Sequence, residues 1–110
     1  MQPKKIAEFI RTLAEDKKAE DVVILDISKL TSVANYFLIT HGNSDRHVRT
    51  IAENIRDEMK KKGMPVLHVE GLGDGKWVLL DFGAVIAHVF YHETREFYAL
   101  ERLWGEAKRI

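Results

Sequence analysis

The short run "VVILDI", Val22 to Ile27, constrains the fold of this chain more than any other stretch. Its apolar residues are unbroken except at Asp26, and four of the six are β-branched. An exposed helix would interleave polar residues and a strand with one wet face would alternate, so the run reads as a strand buried on both faces. A sheet that contains it must be covered, and the flanking sequence has to provide the cover.

From Pro3 onward Ile6, Phe9, Ile10, Leu13 and Ala14 recur at three- and four-residue spacing, with Lys4, Lys5, Glu8, Arg11 and Glu15 on the other side. That pattern predicts an amphipathic helix from Pro3 to Lys18 with proline in its favoured first turn. "NYFLIT", Asn35 to Thr40, reads as a second strand. From Ser44, the residues Val48, Ile51, Ala52, Ile55 and Met59 mark one face of a second helix, ended by Gly63 and Pro65.

The last third changes period. "VLHVE", "KWVLLD" and "VIAHVF" are three strands of a meander joined by "GLGDG" and "FGA". Thr94 is placed to cap a final helix carrying Phe97, Tyr98, Leu100, Leu103 and Trp104. The expected fold is α/β (α+β): one domain over residues 1–110, element order αββαβββα, with a mixed five-stranded sheet packed against helices.

Seventeen Lys and Arg are balanced by seventeen Asp and Glu, so no global field draws the chain onto nucleic acid or an anionic membrane. With no cysteine there is no disulfide, thiolate zinc site or cysteine nucleophile. The N-terminus enters a helical pattern at once, without a signal-like run, and no apolar stretch approaches membrane-spanning length. The expectation is a soluble, unprocessed, cytoplasmic protein.

"HGNSD", His41 to Asp45, has the Gly-Ser turn after a strand that a nucleotide-handling enzyme would use. Such an enzyme would also carry carboxylates two residues apart on a strand, where both reach the same metal ions. None of the seventeen acidic residues has that spacing. The Gly-x-x-Ser lacks a P-loop lysine, and "GLGDG" precedes a strand rather than a helix. The plainer reading gives Gly42 a positive φ at the strand end and makes Ser44 or Asn43 the helix cap, with Asp45 favoured by the dipole. His88 and His92 are four apart, but on a strand end this spacing does not converge on a metal. His41, His47 and His68 have no partner in sequence that would make a triad. No metal, cofactor or catalytic residue is expected.

Alternation places Trp77, Leu79 and Asp81 on one face of their strand, and Ile86, His88 and Phe90 on one face of the next. In a hairpin about Gly83 one sheet face is then aliphatic. The other combines Trp, His, Phe and Asp, a composition that suits either a core or a protein-docking surface.

The segments "DISKLTSVANYFLITHGNSDRHVRTIAENI", "EG" at Glu70, "WVLLDFGAVIAHVF" and "REFYALERLW" occur in an order and spacing that resemble the ribosomal silencing factor family, also called Iojap-like. The resemblance covers nearly the whole chain. Two positions depart from it: Ala84, where an acidic residue is usual, and His41, where a small one is common.

The resemblance implies a translation factor without catalysis, on a fold similar to nucleotidyltransferases. Such a factor binds the large ribosomal subunit through its protein fourteen and blocks joining of the small subunit by bulk, lowering protein synthesis when nutrients fall. It further implies no dominant nucleic-acid contact, no membrane, and room for a homodimer of the free chain. The matching motifs carry the partner-binding candidates Trp77, Asp81, His88, Phe90, Tyr91, Arg95 and Tyr98. The alternative is a small nucleotide-binding or nucleotidyl-transferring enzyme using the "HGNSD" loop.

Overall fold

A computed structural model describes every residue from Met1 to Ile110. The first helix, α1 (Pro3–Asp16), begins with Pro3 in its first turn and buries Ala7, Ile10, Leu13 and Ala14. The second, α2 (Asp45–Lys61), buries Val48, Ile51, Ala52, Ile55 and Met59, the residues its period selects. Gly63 at φ 85° lets the chain turn out of the helix.

Between and after them run β1 (Glu20–Asp26), β2 (Tyr36–Gly42), β3 (His68–Glu70), β4 (Trp77–Asp81) and β5 (Val85–Tyr91). Next come α3 (His92–Tyr98), a single turn α4 (Leu100–Leu103) and β6 (Lys108–Arg109). The sheet therefore has six strands rather than the expected five, in the order β3-β4-β5-β2-β1-β6. The sixth is two residues long and pairs with β1 at Leu25 and Asp26. All pairings are antiparallel except that of β2 with β5, which makes the sheet mixed. The three-strand meander β3-β4-β5 forms as its period predicts.

The final helix differs from expectation. It starts at His92, with Tyr91 at the cap position and Thr94 inside the first turn, so Thr94 caps nothing. Ala99 at φ 47° then breaks it in two.

Both faces of the sheet are apolar, and they are covered differently. α1 and α2 lie on one face over Ile24, Leu38, Val78, Leu80, Val85, Ala87 and Val89. On the other, Val23, Leu25, Phe37, Ile39, Ile86 and Phe90 form a smaller core closed by Leu100 and Trp104 of the C-terminal segment. That segment sits over β1, β2 and part of β5, and β4 is left half uncovered. No helix is long and apolar enough to cross a membrane.

Candidate functional site

The β4–β5 register sets Trp77 opposite Phe90, Leu79 opposite His88 and Asp81 opposite Ile86. These six side chains share one face, as alternation predicts, and Val78, Leu80, Val85, Ala87 and Val89 point to the other. Trp77 is half-buried. Its ring lies 4.9 Å from that of Phe90 and 4.8 Å from that of Tyr98. Tyr98 in turn meets Phe97 edge-on at 5.1 Å. Tyr98 is 50% exposed and Phe97 81%, an unusual state for two adjacent large aromatics at a helix end. The half-buried Leu79 extends the surface along β4 toward Glu70 and Gly71. Gly71 has φ 81°, and a Cβ there would overlap the Trp77 carbonyl, so the turn before β4 needs glycine to keep Trp77 in place.

The indole N–H of Trp77 donates to His88 Nδ1 at 3.1 Å. His88 is only 4% exposed, with its ring 4.7 Å from Phe37 in edge contact. Burial holds its pKa down to about 4, so the ring is neutral over the physiological range. Because Nδ1 accepts, the single imidazole proton sits on Nε2, which is buried without a partner. His88 thus fixes the indole orientation from beneath, and Trp77 presents an apolar plate whose polar edge is already satisfied.

The other candidates from sequence separate. Phe90 is 0% exposed and supports Trp77 from below without reaching the surface. The Asp81 carboxylate accepts from the Gly83 N–H at 2.8 Å, which shapes the hairpin turn. Tyr91 points to the opposite face, with the Lys76 ammonium 4.8 Å from its ring centre. Arg95 is 6% exposed and hydrogen-bonded inside the molecule. Of the seven, Trp77 and Tyr98 meet each other at the open surface. Leu79 and Phe97 join them although sequence reading did not select them; alternation placed Leu79 on that face, and Phe97 adjoins Tyr98.

The opening of α2 is a turn and a cap. Ser44 Oγ accepts from the His47 N–H at 3.0 Å, and Asp45 lies in the first turn. Gly42 does not have a positive φ. Glycine is needed there for room, since a Cβ would stand 2.9 Å from His47 Nδ1. That ring nitrogen accepts from the Asn43 N–H at 3.0 Å, so the loop uses its own groups on each other. No three His, Asp or Glu side chains converge as a metal site.

The profile of the family described as "Ribosomal silencing factor during starvation" matches residues 1–110. The ribosomal silencing factor RsfS of Bacillus subtilis is 44% identical over 107 residues, covering 97% of this chain and 91% of that protein. RsfS of Halalkalibacterium halodurans is 36% identical over 110 residues, covering 100% of this chain and 94% of that protein. Among solved structures, a Chromobacterium violaceum protein superposes with a TM-score of 0.93 at 35% identity, covering 96% of this chain and 88% of that one.

Proposed function

Because the chain belongs to the ribosomal silencing factor family, we propose that it binds the large ribosomal subunit through that subunit's protein fourteen. Seated there, it blocks joining of the small subunit by bulk and lowers translation when nutrients are limiting. The observation that carries this reading is the uncovered part of the second sheet face, where Trp77, Leu79, Phe97 and Tyr98 stand open to solvent or half-open. Aromatic side chains on a supported, rigid patch are the composition of a protein-binding hot spot.

The charge distribution favours a protein partner over rRNA on this side. Residues 1–18 and 44–62, which carry α1 and α2, hold eleven of the seventeen Lys and Arg and seven of the seventeen Asp and Glu. The remaining segments hold six basic against ten acidic residues, and of these acids Glu70 lies beside Trp77 and Leu79 and Asp81 shares their strand face. Carboxylates beside the aromatics complement a basic ribosomal protein and repel phosphate. A second copy of the free chain would bury the same aromatics, which makes a homodimer and the ribosome complex mutually exclusive. The factor acts by occupancy, in the cytoplasm, without catalysis.

The test is co-sedimentation of the whole chain with separated ribosomal subunits across a salt series. Retention on large subunits with a shallow salt dependence supports the reading. Equal binding to both subunits, or steep loss between low and moderate salt, contradicts it.

A further inference from the structure

Arg95 lies three residues before Tyr98, yet it cannot serve the open surface directly. Its Nη1 donates to the Asp21 carbonyl at 2.8 Å and sits 2.8 Å from His41 Nδ1. Nε and Nη2 form a two-point pair with the Glu101 carboxylate at 3.3 and 3.0 Å. The Asp21 carboxylate stands 3.8 Å from Nη2. A guanidinium has five N–H donors in a fixed fork, and this set of partners occupies the fork on every side.

The backbone around it is shaped to the same end. The β1–β2 register slips between Glu20 and Val23, and within the slip Asp21 adopts φ 47°, a left-handed conformation that a residue with a Cβ adopts only under constraint. The Asp21 carbonyl in this bulge is the one that meets Arg95. His41 is prepared as an acceptor, because its Nε2 lies 3.1 Å from Glu20 Oε2 and carries the ring proton toward it. The second left-handed residue of the network, Ala99 at φ 47°, ends α3 and brings Glu101 back onto Arg95. One side chain therefore joins β1, β2 and α4 at the base of the helix whose last residues are Phe97 and Tyr98.

We propose that Arg95 is the positioning residue of the docking surface: by tying α3 to the β1 bulge, His41 and Glu101, it fixes Phe97 and Tyr98 beside Trp77 before the partner arrives. The proposal rests on the docking reading above. Lysine cannot replace it, since one ammonium cannot span a carbonyl, an imidazole and both oxygens of a carboxylate. Losing the clamp leaves the aromatics in the chain but frees them to sample other arrangements, and ordering them then counts against association.

The experiment is a double-mutant cycle read as affinity for purified bacterial large ribosomal subunits, using the whole chain below its melting temperature. The variants are Arg95→Gln, Tyr98→Ala and both together; Glu101→Gln replaces Arg95→Gln in a parallel cycle should the first variant fail to fold. Tyr98→Ala and the clamp variant should each weaken binding about tenfold or more, and the pair should be little worse than Tyr98→Ala alone. Arg95→Lys should not restore affinity, and the near-ultraviolet dichroism of the aromatic cluster should fall in every clamp variant. Multiplying losses would show that Arg95 touches the partner itself and would overturn the proposal. Normal binding by folded clamp variants, with Tyr98→Ala still weak, would overturn it while leaving the docking surface intact. Normal binding by Tyr98→Ala would overturn the docking surface and the proposal with it.

Discussion

The two faces of the sheet are built from the same strands and have opposite fates. Under α1 and α2 the contacts are aliphatic, including Ile24, Leu38, Ile51, Ile55 and Leu80, and these residues are fully buried. On the other side the cover is a short C-terminal segment, and the strand residues become aromatic and polar toward β4, where the cover ends. A closed face needs only volume and apolarity. A face left partly open needs rigid groups that tolerate water and still offer apolar area, and the Trp77, His88, Phe90 and Tyr98 stack meets that need. On the proposed reading, stability belongs mainly to the first face and recognition to the second.

The largest effect that would separate the faces is a cavity on the closed one. Ile51→Ala should lower stability by roughly 2 to 5 kcal/mol, measured by urea unfolding, and leave the affinity of the surviving folded protein unchanged. A change in affinity larger than the change in folded fraction would show the faces to be coupled.

Next is the acid response of the second face. His88 is held neutral to about pH 4 in the fold against an ordinary value of 6.5. The unfolded chain binds the proton first, so this contribution to stability is complete above pH 6.5 and falls as pH drops toward 4, by about 3 kcal/mol in all. The urea midpoint of the wild-type chain should fall relative to that of His88→Phe as pH drops from 7 to 4. Parallel curves would mean that His88 is solvated.

Trp77→Ala should weaken ribosomal binding by about 2 kcal/mol, near thirtyfold, through loss of the anchor plate. Because Trp77 also covers Phe90, the melting temperature should fall as well, by less than for Ile51→Ala; a binding titration beside thermal melting checks both. The smallest effect lies outside either face: Ser44→Ala removes the α2 cap and should cost about 1 kcal/mol of stability with binding unchanged. Lost binding by folded Ser44→Ala protein would return function to the loop at the start of α2.

These differences also show what could be read from the chain. The periods of α1 and α2, the buried run in β1 and the alternation in β4 and β5 are local signals, and each emerges in the structure within a few residues of its expected bounds. Alternation even divides the two sheet faces residue by residue. The missed features are non-local or have no compositional mark. Ala99 gives no sign of a left-handed break, so the last helix reads as continuous. The two residues of β6 are strand only because Leu25 and Asp26 offer an edge. Arg95 looks like a surface cation until β1 and β2, whose contacting residues are 74 and 54 positions away, fold around it. The need for glycine at position 42 comes from the His47 ring.

The most direct test of the account is subunit joining followed by light scattering, with large subunits first loaded with the whole chain and small subunits then added. Joining should fall in proportion to the chain bound on the large subunit, and Trp77→Ala at the same concentration should let joining proceed. An equal block by folded Trp77→Ala protein would contradict the claim that the open half of the second sheet face is the ribosome-docking surface.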